Sequence, residues 1–219
     1  MTRRGPAPGG AVNGASTVPE TRAPIGLGAS PDAQPDAQHD MPDAPVIAPD
    51  ALVVPRDALV VLIGPAGSGK TTLAEASFPR FSILSSDDFR ARLGRDAADQ
   101  TVTGAAFAAL HRALEQRMAA GDLTVVDATS LTPTARRTLL RAAGRHQRPV
   151  IALVLDLPAA VVLARNAGRT KRVVPETAVR RHLAMLARTS DQTLRREGFS
   201  QVRRLRSTDE VAALRVTIA

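Results

Sequence analysis

The sequence predicts an α/β fold, a parallel β-sheet flanked by helices, and three observations carry that prediction. Short apolar runs without polar alternation recur between residues 58 and 156, as strands covered on both faces require. Between them lie segments whose apolar residues repeat at helical spacing. Strand and helix alternate along the chain, which calls for right-handed crossovers and a three-layered arrangement.

The elements follow in order. "ALVVLI" (58–63) is an unbroken apolar run stopping at Gly64, and suits a strand buried on both faces. "KTTLAEASF" reads as a helix and "FSILSS" as a second strand. "TGAAFAALHRALEQRMAAG" puts Phe107, Leu110, Leu114 and Met118 on one stripe and ends at Gly121, a helix stop. "LTVVDA" and "VIALVLD" are two more buried strands, separated by the helix "TPTARRTLLRAAGRH". A helical region covers about 158–168, a longer helix runs from Pro175 to about Glu197, and "VRRLRS" closes the series as an edge strand.

Residues 1–50 are different in kind. They hold nine of the sixteen prolines and repeat "PDA", as in "PDAQPDAQ". Such a segment buries too little apolar surface to offset its ordering entropy, so a disordered tail (1–50) and a folded domain (51–219) are expected. The chain has no cysteine, which excludes disulfides, thiolate metal sites and cysteine nucleophiles. No run approaches the ~20 apolar residues of a membrane span, and "MTRRG" has no apolar core behind it. A cytoplasmic protein without a membrane partner is the expectation.

The net charge is +8, but it is unevenly spread. Residues 1–50 contribute three arginines against six acids, whereas the remainder carries 26 basic and 15 acidic residues, or +11. A basic folded part attracts phosphates at a distance, although an Arg- and Ala-rich coding bias accounts for the same count. Of 29 basic residues only Lys70 and Lys171 are lysines.

"GPAGSGKT", Gly64 to Thr71, fits the pattern G-x-x-x-x-G-K-[ST] and lies between a predicted strand and a predicted helix, the context that separates a phosphate loop from a chance match. Gly64, Gly67 and Gly69 let successive N–H groups turn toward an anion at a helix start. Lys70 supplies a compact charge for β- and γ-phosphates, and the Thr71 hydroxyl is a ligand for Mg²⁺. With Ser68 and Thr72 these residues form the expected ATP-binding set, in a P-loop nucleotide-binding fold.

"ILSSDDFRAR" places Asp87 and Asp88 just beyond the second strand, on the side where parallel sheets bind ligands. A carboxylate there can position an attacking hydroxyl and accept its proton. Either aspartate could serve chemically. Arg90 is three residues after Asp87, so on a first helical turn the two share a face and can hold a hydroxyl and an anion of one acceptor. The alternative for both acids is helix capping. "RNAGRTKR" repeats arginine at 165, 169 and 172, which reads either as a solvated face or as a mobile lid closing over phosphates. Asp127 ends the strand "LTVVD", where an acid serves a Mg²⁺ site or merely caps the strand.

Taken in order, "VVLIGPAGSGKTT", "LSSDDFR", "DQTVTGAAF", "LTVVDAT", "RNAGRTKR" and "LRREGFSQV" resemble the 5′-hydroxyl polynucleotide kinase domain of the bacterial three-domain RNA-repair family (kinase, phosphatase, adenylyltransferase) over about residues 57–211. The resemblance implies an adenylate-kinase-like P-loop fold with an arginine-bearing lid. It also implies transfer of the ATP γ-phosphate to the 5′-OH of RNA or DNA. By motif match Lys70 and Thr71 take nucleotide and Mg²⁺, and Asp87 is the general base. Arg90 grips the phosphate after the terminal nucleoside, while Arg165, Arg169 and Arg172 contact the ATP phosphates. Gln100 and Thr101 line the acceptor groove by the same match, though a turn explains them equally. Ser130 departs from the family, which usually has asparagine there. Two lysines already assigned and four scattered histidines supply neither a nucleotidyl-transfer nucleophile nor a binuclear phosphatase site, so phosphatase and sealing steps are expected from other proteins. A P-loop kinase of a small metabolite, or an ATP-dependent switch, shares the nucleotide-side residues.

Overall fold

The computed structural model describes residues 51–94, 101–170 and 172–219. The expectations for the 1–50 tail, Gln100 and Lys171 lie outside these residues. The chain runs β1 (Ala51–Val54), β2 (Leu59–Ile63), α1 (Lys70–Ser77), β3 (Ile83–Ser85), α2 (Ser86–Leu93) and α3 (Thr103–Ala120). It continues through β4 (Thr124–Asp127), α4 (Pro133–Arg145), β5 (Val150–Leu155), α5 (Ala159–Ala167), α6 (Glu176–Ala187) and α7 (Asp191–Glu197). It finishes with β6 (Gln201–Leu205), α8 (Thr208–Ala213) and β7 (Arg215–Ile218).

Five strands form one parallel sheet in the order β3-β4-β2-β5-β6. All five residues of β2 are fully buried, which explains its unalternated apolar run. Its residues divide between the sheet's two faces. Leu59, Val61 and Ile63 join one core cluster with Val126, Ala152 and Val154. Val60 and Leu62 join the other with Val125, Ile151 and Leu153. Each such side chain contributes about 1.5–3 kcal/mol by leaving water. The α/β class with a parallel sheet flanked by helices is therefore as the sequence predicts. Among the described residues no helix is long and apolar enough to cross a membrane.

The differences are local. The helix expected from Pro175 to about Glu197 is two helices, because Ser190 adopts an extended backbone and its hydroxyl accepts the Thr193 N–H, starting α7 afresh. Arg204 fixes that break by donating to the Thr189 carbonyl at 2.7 Å. "FSILSS" is strand only over β3, since Arg80–Ser82 form a 3-10 turn first. Beyond β6, the expected edge strand, lie α8 and β7, and β7 pairs in parallel with β1 as a separate two-stranded sheet. Those two strands have four residues each and are only partly buried, so periodicity does not reveal them.

The sheet order places the functional segments. After β2 the chain moves outward to β3 and returns through β4, whereas β5 and β6 lie on the other side. A crevice opens at the carboxyl ends of the strands where the direction reverses, and the loops after β2, β3 and β4 meet there.

Candidate active site

The loop between β2 and α1 forms the cradle. Gly67 (φ +84°) and Gly69 (φ +93°) take left-handed backbone that L side chains rarely adopt, and Gly69 is the residue from which α1 starts. Gly67 also packs against α5, where a Cβ would meet the Val162 carbonyl oxygen at 2.4 Å. Gly64 and the fully buried Ser68 stand behind the cradle: the Gly64 N–H donates to Thr129 O, and Ser68 Oγ accepts from Lys70 Nζ at 3.5 Å. Thr71 and Thr72 are exposed at its open side.

Lys70 Nζ also donates to the Pro65 carbonyl at 2.8 Å. Burial pushes its pKa down to about 8, against the opposing pull of Asp127 and Asp87 and with further depression from Arg169. Thr71 Oγ1 donates to Asp127 Oδ2 at 2.7 Å, across 56 positions of sequence. Burial raises the Asp127 pKa, and the Thr71 hydroxyl and the Lys70 ammonium oppose that rise. The paired hydroxyl and carboxylate are hard oxygen donors beside a phosphate loop. That is the number and kind of protein ligand with which Mg²⁺ is held when substrate phosphates supply the rest. The residues present fit the ion.

The β3–β4 register sets Ser85 opposite Asp127, which brings the start of α2 to the same crevice. Ser85 Oγ caps α2 by accepting the Asp88 N–H at 3.3 Å, so neither aspartate side chain is the cap. Asp87 forms an ion pair with Arg90 on the helix's first turn, the pairing that the three-residue spacing predicts. Arg172 Nη1 lies 3.7 Å from the same Asp87 oxygen. Arg90 is buried, whereas 39 % of the Asp87 side chain remains exposed and open to an incoming group. Burial, together with Arg90, lowers the Arg172 pKa, and Asp87 counters it. Asp88 is exposed and its only described bond is through its backbone.

Arg165 and Arg169 line a groove of about 850 Å³ that runs from Gly67, Gly69, Lys70, Thr71 and Thr72 to the C-terminal segment. Its far wall is Val211, Leu214, Arg215 and Val216. Arginines 165, 169 and 172 therefore divide between two sides of the cradle: the first two face the groove, and the third reaches Asp87.

Two sets of residues were missed by sequence reasoning. The groove wall sits on α8 and β7, elements that the pattern did not show. Asn166 is 3 % exposed, and its side-chain amide donates to Val174 O (2.7 Å) while its carbonyl accepts the Val174 N–H (3.2 Å). It thus closes the segment bearing Arg169 and Arg172 into a ring, and its backbone packs against Gly67. A single asparagine within an arginine-rich stretch was the available signal. Ser130 has φ +47°, a left-handed conformation that asparagine enters more readily than serine. Its carbonyl, with that of Leu131, is held by Arg136, a fully buried guanidinium that also pairs bidentately with Glu197 (2.6 and 2.7 Å).

Comparison with known proteins adds the following. The profile of a family described as an AAA domain, AAA_33, matches residues 59–192. No curated protein matches the sequence. Among solved structures, a chain in the Pnkp1/Rnl/Hen1 RNA repair complex is 20 % identical over 64 % of this chain, with a TM-score of 0.52. This chain spans 45 % of that protein's length. A chain of the AvrRxo1-ORF1:AvrRxo1-ORF2 structure with ATP is 15 % identical, with a TM-score of 0.50 over 64 % of this chain and 50 % of that one. A gluconokinase from Sinorhizobium meliloti 1021 is 16 % identical over 74 % of this chain and 89 % of its own, with a TM-score of 0.46. These likenesses are of fold.

Proposed function

The chain belongs to the AAA domain family AAA_33, and from that premise we propose that it is an ATP-dependent kinase of polynucleotide 5′-hydroxyl ends, with residues 51–219 as its catalytic domain. The observation that carries this reading is the Asp87 cluster. A half-exposed carboxylate is held between Arg90 and Arg172 beside the Thr71–Asp127 pair. On this reading the carboxylate is a base for an alcohol, Arg90 a cation for a phosphorylated acceptor and Arg172 a cation for the transferring phosphate.

In this reading the cradle's N–H groups and Lys70 bind the triphosphate, and the groove beside Thr72, Arg165 and Arg169 takes the nucleoside end. Asp87 orients the 5′-hydroxyl and takes its proton as the oxygen attacks the γ-phosphorus. The new O–P bond forms as the bond to the bridging β–γ oxygen breaks, and ADP leaves with those electrons. Arg169 and Arg172 offset charge on the transferring group, while Arg90 grips the phosphate 3′ of the terminal nucleoside. Mg²⁺, held through Thr71 and Asp127, supplies charge neutralisation to the phosphates when bound. The likeness in motifs to the RNA-repair kinases supports the polynucleotide acceptor, and separate proteins are then expected to process and seal the phosphorylated end.

The test is incubation with ATP labelled in the γ-phosphate and a panel of acceptors. Label on 5′-OH RNA or DNA, and none on oligonucleotides already 5′-phosphorylated, supports the reading. Label on sugars, sugar acids or nucleosides alone replaces it with a small-molecule kinase. Nucleotide binding without transfer to any acceptor replaces it with a switch.

A further inference from the structure

Arg136, near the start of α4, is 1 % exposed and is the most deeply buried charged side chain among the described residues. Its guanidinium divides four hydrogen bonds between two targets. Nε and Nη2 donate to the two Glu197 carboxylate oxygens at 2.6 and 2.7 Å. Nη1 donates to the carbonyls of Ser130 (3.2 Å) and Leu131 (2.7 Å). A buried ion pair adds little stability over apolar side chains of the same size, so its presence asks for a second reason. Glu197 asks for one as well. It is the last residue of α7, where a carboxylate faces the negative end of the helix dipole, yet its side chain is only 20 % exposed.

The reason lies in the segment to which the two carbonyls belong. Ser130 has φ +47°, and a residue other than glycine stays in that region only where its surroundings hold it there. Arg136 supplies that hold by bridging the Ser130 carbonyl and the next one. The turn so fixed ends a stretch, 127–131, that meets the phosphate loop twice. Asp127 Oδ2 accepts from Thr71 at 2.7 Å, and Thr129 O accepts the Gly64 N–H at 3.2 Å. The β2–β4 ladder itself stops at Val61 and Val126. Past it, these two bonds join the continuation of β4 to the entry of the loop and to α1. The described bonds of Arg136 reach neither Asp127 nor Gly64, so its influence on them passes through the backbone of 128–131. Glu197 lies beyond residues 59–192, the span that the family profile matches.

We propose that Arg136, braced by Glu197, is a positioning residue for the phosphate end of the site: it fixes the turn at Ser130 and Leu131, and that turn sets Asp127 and Thr129 against Thr71 and Gly64. The inference rests on the nucleotide half of the function proposed above and is independent of the acceptor. A guanidinium suits the task because one planar fork reaches a carboxylate and two carbonyls in different directions. A lysine ammonium is a point donor on a flexible stem and does not span both.

The test measures the affinity of the full-length protein for a fluorescent ATP analogue, in EDTA and across a Mg²⁺ titration, beside its thermal midpoint. Arg136→Met removes charge and fork, Arg136→Lys keeps only the charge, and Glu197→Gln keeps the size of the brace without its charge. Half-saturating Mg²⁺ is expected to rise about tenfold in both Arg136 variants, the size of effect produced by removing support behind a metal-binding carboxylate. A smaller rise, of a few-fold, is expected in Glu197→Gln. Asp191→Asn is the control. It weakens the ion pair with Arg204 at the opposite end of α7, and the described bonds of Arg204 involve none of residues 64–72 or 127–131. This variant is expected to lower the midpoint and keep the parent's Mg²⁺ dependence. A lowered midpoint with parental Mg²⁺ dependence in the Arg136 and Glu197 variants overturns the inference. So does an equal Mg²⁺ shift in Asp191→Asn, or a parent protein whose nucleotide affinity ignores Mg²⁺. Where the Arg136 variants do not fold, Glu197→Gln decides by the same comparison. Nucleotide binding needs no acceptor, so failure to phosphorylate 5′-OH ends overturns the polynucleotide reading and leaves this inference to the Mg²⁺ titration.

Discussion

Replacing Gly67 by alanine tests the packing of the cradle on α5 directly. At φ +84° any side chain pays roughly 1–2 kcal/mol for left-handed backbone. The added Cβ would also lie 2.4 Å from Val162 O, 3.0 Å from Asn166 N and 3.1 Å from Asn166 Cβ. The first two are backbone atoms of α5, which cannot turn aside as a flexible side chain can, and overpacking of this kind costs a further 1–3 kcal/mol or so. The expected loss is about 2–5 kcal/mol, or roughly 10 °C in the unfolding midpoint for a domain of this size. Gly69→Ala is the internal control. Its φ is +93°, but the nearest atom to the new Cβ is Arg165 Nη1 at 3.6 Å, an ordinary contact. Only the conformational cost of about 1–2 kcal/mol then applies. Thermal unfolding followed by circular dichroism measures both variants, and titration with an ATP analogue shows whether the displaced loop still binds. Equal losses for the two variants, or a Gly67→Ala protein within about 1 kcal/mol of the parent, would refute the packing of the loop on α5.

Lys70 predicts an unusual alkaline profile. Its folded pKa of about 8 lies below the unfolded value of 10.5, so between those values the unfolded chain binds more protons. Stability without nucleotide therefore rises with pH across that window, by at most about 3 kcal/mol. The chain has no tyrosine or cysteine to titrate alongside it. Urea denaturation from about pH 7.5 to about pH 10.5 is expected to show the rise in the parent and not in Lys70→Met; parallel curves contradict it. Asn166→Ala removes both bonds to Val174, each worth about 1 kcal/mol. It is expected to raise KM for ATP and lower kcat about tenfold by freeing the segment that carries Arg169 and Arg172. Steady-state kinetics unchanged in both parameters would show that this ring does not position the arginines.

The legible parts of this molecule are those whose physics is local. β2 and β5 announce themselves as unalternated apolar runs because both their faces are covered, and "GPAGSGKT" is readable because few sequences combine three glycines with a lysine at a strand–helix junction. The Asp87–Arg90 pair follows from helical spacing alone. What spacing could not supply was long-range: Thr71 against Asp127, Arg172 against Asp87, and Asn166 pinning Val174. Nor could it tell whether Asp87 or Asp88 caps α2, a cap that Ser85 takes itself. β1 and β7 stayed hidden because four residues are too few for an alternation to stand out, and with them the far wall of the groove. The break between α6 and α7 was legible but not read: no apolar residue falls between Ala187 and Leu194, and within that polar stretch Ser190 is the cap that starts α7.

The central claim is that the carboxylate at position 87, and not its neighbour, takes the proton of the attacking alcohol. Single-turnover transfer of labelled γ-phosphate to a 5′-OH oligonucleotide, with ATP saturating, compares Asp87→Ala and Asp88→Ala directly. A rate lower by about 10²–10⁴ for the first variant and within a few-fold of the parent for the second is the predicted result. Transfer retained by Asp87→Ala, or lost in Asp88→Ala while its fold is intact, contradicts the assignment.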